Sequence, residues 1–257
     1  MRHLVLLAGA VLLAGGVAPP EGKVVASIDL AKPFAARSPW RLTATQGPEG
    51  EGVAGNQEPG KIALCLSKDA GHGCDPGLAG MLLAGEPDYF SDPHYLDPPE
   101  IVHPAPGRAL LLLRVASVHS GNGNQRVAIR LLAYDPAKDS FVTAYAQRTG
   151  RNNNEEIRYV ADGTLKGAVI FAEPTSDAPF GYWISVSRPD AALRYRQVLR
   201  FRSATLYGDG NPLAAIDSEM PNLQQRLGLW RPGKPLPLPA GRACPKPHLV
   251  KTVLWCG

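Results

Sequence analysis

The sequence RYRQVLRFRSATLYGDGNPLAAIDSE, residues Arg194–Glu219, contains the longest alternating pattern in the chain. Its even-numbered positions include four arginines, namely Arg194, Arg196, Arg200 and Arg202. Its odd-numbered positions include the apolar residues Tyr195, Leu199 and Phe201. Because successive side chains of a β-strand point to opposite faces, this pattern predicts a strand with one basic and one apolar face. The turn-forming run Gly208–Pro212 ends the predicted strand.

Similar strands precede this one, and clusters of Gly, Asn, Asp and Pro separate them. From residue 108 the predicted strands span 108–119, 125–134, 140–147, 155–160, 165–173, 182–187 and 194–207. Further candidates span 23–30, 40–46, 61–67 and 249–255. Short strands between frequent turns are typical of all-β folds, so we predict an antiparallel meander that forms a sandwich or a barrel.

One short helix is predicted near the C-terminus, over residues 218–230. Ser218 is a suitable N-cap, and Gly228 is placed to end the helix. The following residues, up to 248, are rich in proline and predict an extended strap.

Six prolines between residues 86 and 107 predict a long irregular segment there. We place a domain boundary at its end. The N-terminal β lobe would span 19–107, and the main meander module, with its helix and strap, would span 108–257. A single domain over 19–257 is the alternative.

Residues 1–18 have the pattern of a signal peptide. Arg2 supplies the positive charge, Leu4–Leu13 an apolar core, and Ala14 with its glycine neighbours a cleavage region. An uncleaved anchor is the alternative. We find no later segment long and apolar enough to span a membrane, so we predict a periplasmic or secreted protein.

The chain has four cysteines, which are Cys65, Cys74, Cys244 and Cys256. An even number in an exported chain predicts disulfides. Proximity favours Cys65–Cys74 and Cys244–Cys256, although crossed pairings stay open.

Composition excludes some partners. The 257 residues have a formal charge of +4, a weaker and less clustered excess than nucleic-acid binding proteins have. We therefore expect no nucleic-acid partner, and we expect a monomer.

An arginine-rich sheet face is the leading candidate for a binding site. If the meander strands are neighbours, the following side chains converge: Arg126, Arg130, Arg158, Arg194, Arg196, Arg200 and Arg202. A row of guanidinium groups binds carboxylate, phosphate or sulfate, which outside the cytoplasm suggests an anionic glycan or envelope component. The alternative is a solvated face that Glu155, Glu156 and Glu173 neutralise.

Trp183 is the best candidate for stacking against a sugar, since Phe180, Gly181 and Tyr182 adjoin it. Core packing is the alternative. No catalytic motif is present, so we assign no catalytic residue. A pair of carboxylates near Trp183 would nevertheless suit a hydrolase.

A calcium site is a further hypothesis. Four oxygen-bearing side chains lie close together in sequence, namely Asp209, Asn211, Asp217 and Glu219. Their spacing differs from that of an EF-hand loop. Turn formation and helix capping would use the same residues. No other cofactor is predicted.

Five runs show a resemblance: GNGNQRVA, GRNNNEEIRYV, APFGYWISV, LYGDGNP and IDSEMPNLQQRLGLW. They are similar to a group of uncharacterised exported bacterial proteins, over roughly residues 111–230. The resemblance implies an intact module and assigns no functional residue.

The sequence therefore favours an exported, non-catalytic binding or envelope-associated β module with an anionic ligand. A hydrolase of polysaccharide or cell-wall material is the alternative, and a calcium-stabilised scaffold is the second alternative.

Overall fold

The computed structural model describes residues 22–52, 55–69, 73–150, 154–239 and 243–257. The predicted signal peptide, residues 1–18, lies outside them. The strands are, in chain order, β1 (Lys23–Asp29), β2 (Arg41–Gln46), β3 (Gly50–Glu51), β4 (Gln57–Glu58), β5 (Ile62–Ser67), β6 (Tyr95–Leu96), β7 (Glu100–Ala105), β8 (Arg108–Ala116), β9 (Val127–Asp135), β10 (Ser140–Arg148), β11 (Glu156–Tyr159), β12 (Val169–Pro174), β13 (Gly181–Pro189), β14 (Tyr195–Leu206), β15 (Pro247–Val250) and β16 (Val253–Cys256). The helices are α1 (Ala31–Phe34), α2 (Ala215–Ser218) and α3 (Met220–Arg226).

Three antiparallel sheets form the body of the molecule. The first sheet has the order β1-β2-β5, and the third has the order β11-β12-β13-β14. Between them in sequence lies the central sheet, with the order β10-β9-β8-β6 and with β7 also paired to β8. The pairs β3-β4 and β15-β16 are separate hairpins. The predicted antiparallel all-β fold is confirmed; the described strands form stacked open sheets rather than a closed barrel.

The central sheet is buried on both faces. One face packs Leu111 and Leu113 against Leu42 of the first sheet. The other face packs Leu131 against Val169 of the third sheet. Both faces lie against apolar layers, which explains why β8 and β9 are almost continuously hydrophobic rather than alternating.

The far face of the third sheet packs against the C-terminal helices. Ile184 and Phe201 of the sheet contact Ile216 of α2 and Leu223 of α3 in one buried cluster. The fold is therefore a stack of three sheets and a helical layer, with a hydrophobic core at each of the three junctions.

The predicted boundary at residue 107 lies inside the central sheet. Strands β7 and β8 form a hairpin in which Ala105 is opposite Arg108. The proline-rich segment was also predicted to lack strands, yet it contains β6 and β7. Pro104 is tolerated because, among the described strands, β7 is paired with β8 alone and its register shifts between Val102 and Ala105.

The C-terminal elements differ from the predicted ones. Ser218 does not cap a helix; it lies inside α2, where its hydroxyl bonds the carbonyls of Ala214 and Ala215. Gly228, with a φ of 70°, follows the end of α3, as predicted. The predicted strand 249–255 is instead the β15–β16 hairpin, which turns at Lys251. Within the described residues, no helix has the length and apolar character needed to cross a membrane.

Two disulfides are present, Cys65–Cys74 and Cys244–Cys256. Each joins cysteines close in sequence, with separations of 9 and 12 residues. The second closes the end of the β15–β16 hairpin, which packs beside α2 and α3.

Candidate functional site

The basic face predicted for residues 194–207 is interrupted by a β-bulge. Ser185 lies opposite Arg200, but beyond a register shift Arg188 lies opposite Arg196. Residues 185 and 188 of the regular strand β13 point to opposite faces, so Arg196 and Arg200 do as well. The extra residue is Val198. The prediction that the four arginines share one face is therefore wrong.

Each of these four arginines also has an acidic neighbour. Arg194 and Arg196 approach Asp190, at 3.2 and 3.7 Å. Arg200 is 4.0 Å from Glu173, and Arg202 is 2.9 Å from Asp177. These side chains are thus distributed over separate surface ion pairs.

Arg126 has a structural role. Its side chain is buried, donates to the carbonyl of Leu82 at 2.9 Å, and pairs with both carboxylate oxygens of Asp88. It precedes β9 in the central sheet, whereas β14 belongs to the third sheet. Arg126 and Arg130 therefore do not lie beside Arg194–Arg202, because the meander divides between β10 and β11.

Arg126 and Arg130 instead line a cleft of about 510 Å³. We call it the edge cleft, because it passes around the end of β10 at the edge of the central sheet. The lining residues that matter below are Arg126, Arg130, Arg148, Glu155, Phe171 and Glu173.

The cationic side of the edge cleft consists of Arg130 and Arg148. Arg130 lies opposite Leu113, and Arg148 lies opposite Ala128, so both belong to the face of the central sheet that packs on the first sheet. The side chain of Arg130 bonds the carbonyl of Gly77, while its Nε is buried with no acceptor among the described residues. Burial lowers the pKa of Arg130.

The acidic side of the edge cleft consists of Glu155 and Glu173. Glu173 follows Phe171 on the face of β12 that packs toward the central sheet. Glu155 accepts a hydrogen bond of 2.6 Å from the backbone N–H of Gly150. Burial raises the pKa of Glu155, and the negative charge of Glu173 raises it further.

No family model, curated protein or solved structure matches the chain. The chemistry of the site is therefore argued from its own residues.

Trp183 lies next to the edge cleft. It is directly opposite Glu173 on one side and Arg202 on the other. The guanidinium of Arg200 stacks over its ring, 4.8 Å from the ring centroid. Trp183 is thus half-buried in a polar setting, and a sugar that stacked on the same ring face would displace Arg200.

The predicted calcium ligands are not brought together. Asp209 accepts from Asn211 N–H in its own turn, and the Asn211 amide donates to the Leu254 carbonyl. Asp217 pairs with Arg158, whereas Glu219 is fully buried. Among the described residues, no three His, Cys, Asp or Glu side chains form a group that could hold a metal ion.

Buried and partly buried carboxylates join strands β11 and β14 of the third sheet to the helices α2 and α3. Glu219 accepts hydrogen bonds from the backbone N–H and the hydroxyl of Thr205, at 2.5 and 2.7 Å. Glu156 accepts from the N–H groups of Ala215 and Ile216 at the start of α2. Burial raises the pKa of Glu156. These carboxylates therefore fix the helices on the third sheet.

The sequence interpretation missed Arg148, and it treated Glu155 only as a neutralising charge. Both residues flank the Gly/Asn-rich run 150–154, which the sequence predicts only as a turn between two strands. A sequence signal for their proximity was absent, because it depends on how two sheets pack.

Proposed function

We propose that this protein is an exported, non-catalytic binding module that takes an anionic ligand, such as a carboxylate-bearing glycan or envelope component, in the edge cleft. The observation that supports this proposal best is that the Arg130 side chain is partly buried without a counter-ion among the described residues. It lines the cleft, is partly buried, and has no carboxylate within 4.0 Å among the described residues.

A partly buried guanidinium without a counter-ion is costly, because it has lost hydration and gained no opposite charge. A ligand carboxylate at Arg130 would supply that charge and form charge-assisted hydrogen bonds. Arg148 is exposed on the same side of the cleft and also has no ion-pair partner among the described residues. The pair therefore offers two cations to one anionic group.

Export is supported by the two disulfides, since such bonds persist mainly in oxidising compartments. The signal-peptide pattern of residues 1–18 points to the same location. A test is fusion of residues 1–30 to a reporter that folds only outside the cytoplasm. Export of the reporter supports the proposal, and retention in the cytoplasm contradicts it.

Binding is tested by amide NMR titration with two singly charged anions, galacturonate and N-acetyl-trialanine. At low ionic strength at least one should shift amides near residues 146–150, and about 0.5 M salt should weaken that binding. Arg130→Gln should weaken it about tenfold, whereas the control Arg108→Gln, at an exposed position outside the cleft, should not. Absence of binding by both anions overturns the proposal.

A hydrolase is the second candidate, because Glu155 and Glu173 line the same cleft and Glu173 is opposite Trp183. The raised pKa of Glu155 would suit a general acid. The test is release of reducing ends from polygalacturonate and from purified cell-wall material. Activity that Glu155→Gln and Glu173→Gln each abolish supports a hydrolase; activity that both variants retain excludes this site.

A further inference from the structure

The edge cleft contains two pairs of side chains with opposite charges, and the two pairs do not neutralise each other. Arg130 and Arg148 lie on its cationic side, and Glu155 and Glu173 lie on its acidic side. Among the described residues, no ion pair joins the two sides. The reason is topological: the arginines belong to the first-sheet face of the central sheet, whereas Glu173 faces its opposite side.

The two glutamates also have few other charged or hydrogen-bonding partners among the described residues. Arg200 approaches Glu173 only at 4.0 Å, and both side chains are about half exposed. Glu155 has the Gly150 N–H as its hydrogen-bond donor within the described chain. The raised pKa of Glu155 and the lowered pKa of Arg130 are the directions expected of charged groups that are partly desolvated without a counter-ion.

We propose that the ligand of the edge cleft is a zwitterionic amino acid or short peptide. Its carboxylate would contact Arg130 and Arg148, and its ammonium group would contact Glu155 and Glu173. This inference rests on the proposed binding function and specifies the ligand further. A ligand with both charges satisfies both sides at once. A purely anionic ligand leaves Glu155 without a cation among the described residues and leaves Glu173 with only the 4.0 Å contact to Arg200.

The surface between the charges favours a peptide over a sugar. Strand β10 is paired only with β9, so alternate N–H and C=O groups on its outer edge have no strand partner in the described part of the chain. Residues 146–148 at the end of this edge line the cleft; the Arg148 carbonyl accepts from the Gln147 side chain, and beyond the strand the Gly150 N–H donates to Glu155. Peptide amides can pair with the remaining backbone groups of such an edge, which is a recurring mode of peptide recognition.

The size and the apolar lining of the cleft agree with this ligand class. Met81, Ile129 and Phe171 line it beside the charged groups and would contact aliphatic side chains. Its volume of about 510 Å³ lies in the usual range for small-ligand sites.

The experiment compares three tripeptides by calorimetry and amide NMR at low ionic strength. Trialanine has both charges, N-acetyl-trialanine lacks the ammonium group, and trialanine amide lacks the carboxylate. We expect trialanine to bind at least about tenfold more tightly than either blocked peptide. The double variant Glu155→Gln/Glu173→Gln should reduce trialanine affinity to that of N-acetyl-trialanine, whose own affinity should not fall.

Three results distinguish failure of the inference from failure of the proposed function. Equal affinity for trialanine and N-acetyl-trialanine overturns the inference that the cleft recognises the ammonium group of a zwitterion, and it leaves the proposed anion-binding function intact. Equal affinity for trialanine and its amide overturns the inference, because the peptide carboxylate is then not recognised; if galacturonate and N-acetyl-trialanine also fail to bind, the proposed function is overturned as well. Binding of galacturonate without binding of any tripeptide overturns the inference that the ligand is a peptide and leaves the proposed anion-binding function intact.

Matched variants exclude effects of misfolding. Glu86→Gln removes an exposed glutamate outside the cleft and should leave trialanine affinity unchanged. Arg148→Gln, at an exposed position, should weaken trialanine binding without altering the fold, which dispersed amide NMR spectra would verify. Unchanged trialanine affinity in both Arg148→Gln and the glutamate double variant contradicts the inference.

Discussion

Both carboxylate oxygens of Asp88 accept hydrogen bonds from Arg126, at 3.0 Å from Nη1 and 2.8 Å from Nη2. Arg126 immediately precedes β9, and Asp88 belongs to the segment between β5 and β6. A third hydrogen bond joins Arg126 to the Leu82 carbonyl. This guanidinium therefore fixes the segment that covers one side of the edge cleft.

We predict that the two members of this pair differ in their effect on stability. The Arg126 side chain is 4% exposed and that of Asp88 is 32% exposed. Asp88→Ala leaves a buried cation and should lower the free energy of unfolding by about 3 kcal/mol. Arg126→Met leaves a carboxylate that water can reach and should cost about half as much, ~1.5 kcal/mol. Urea denaturation measures both values.

Asp97→Asn is the control, because it disrupts the exposed Arg114–Asp97 pair. It should cost less than about 0.5 kcal/mol. A cost for Asp88→Ala no larger than that for Asp97→Asn would show that the Arg126 pair is not a structural link.

Stability should depend on the ionisation of Asp88 at acid pH. Hydrogen bonds from Arg126 lower the pKa of Asp88 from 3.8 to about 2. A depressed carboxyl pKa stabilises the fold fully above about pH 4, and this contribution disappears as the pH falls toward 2. The difference in unfolding free energy between wild type and Asp88→Asn should therefore shrink between pH 5 and pH 2. A difference that is constant over this interval contradicts the assignment.

The bulge at Val198 should be necessary for the packing of the first part of β14. Tyr195 donates to the Gly167 carbonyl at 2.7 Å and its ring lies 5.2 Å from that of Tyr145. Deletion of Val198 would send Tyr195 to the other face and should lower the free energy of unfolding by about 2 kcal/mol or more. Val198→Ala, at the same exposed site, should stay within about 0.5 kcal/mol. Equal stability of the two variants would argue against a structural role for the bulge.

Removal of the Cys244–Cys256 bond by a double serine substitution should lower stability by about 2–3 kcal/mol, as expected for a short closed loop. The loss should appear first as faster amide exchange in β15 and β16. Protection that is unchanged there would mean that packing against α2 and α3 alone holds the hairpin.

Calcium should have little effect on this protein. Asp209, Asp217 and Glu219 have separate partners, so neither 5 mM CaCl₂ nor excess chelator should move the melting temperature by more than about 1 °C. A rise of several degrees with calcium, reversed by the chelator, would restore the calcium hypothesis.

Local patterns in the sequence predict much of the fold. Alternation and turn residues locate most strands, and cysteine spacing favours the disulfides that form. The bulge left a weak signal, since polar Gln197 and apolar Val198 exchange the expected parities. The alternation was interpreted as continuous through Gln197 and Val198. Arg194 and Arg196 were therefore placed on the same face as Arg200 and Arg202, whereas they lie on the opposite face.

The site could not be derived in the same way. Alternation does not reveal that the meander divides after β10, so Arg126 and Arg130 were placed beside β14. The counter-ion of Arg126 is 38 residues away, in an irregular segment without a pattern. Glu155 and Glu173 approach the end of β10 only because two sheets stack, which is a long-range consequence of core packing.

The most direct test of the central claim is an amide NMR titration of wild type and Arg130→Gln with trialanine at low ionic strength. We predict saturable shifts in wild type centred on residues 146–150 and 128–130, with a dissociation constant at least about tenfold larger in the variant. Shifts centred elsewhere, or the same dissociation constant in both proteins, would contradict a binding function of the edge cleft.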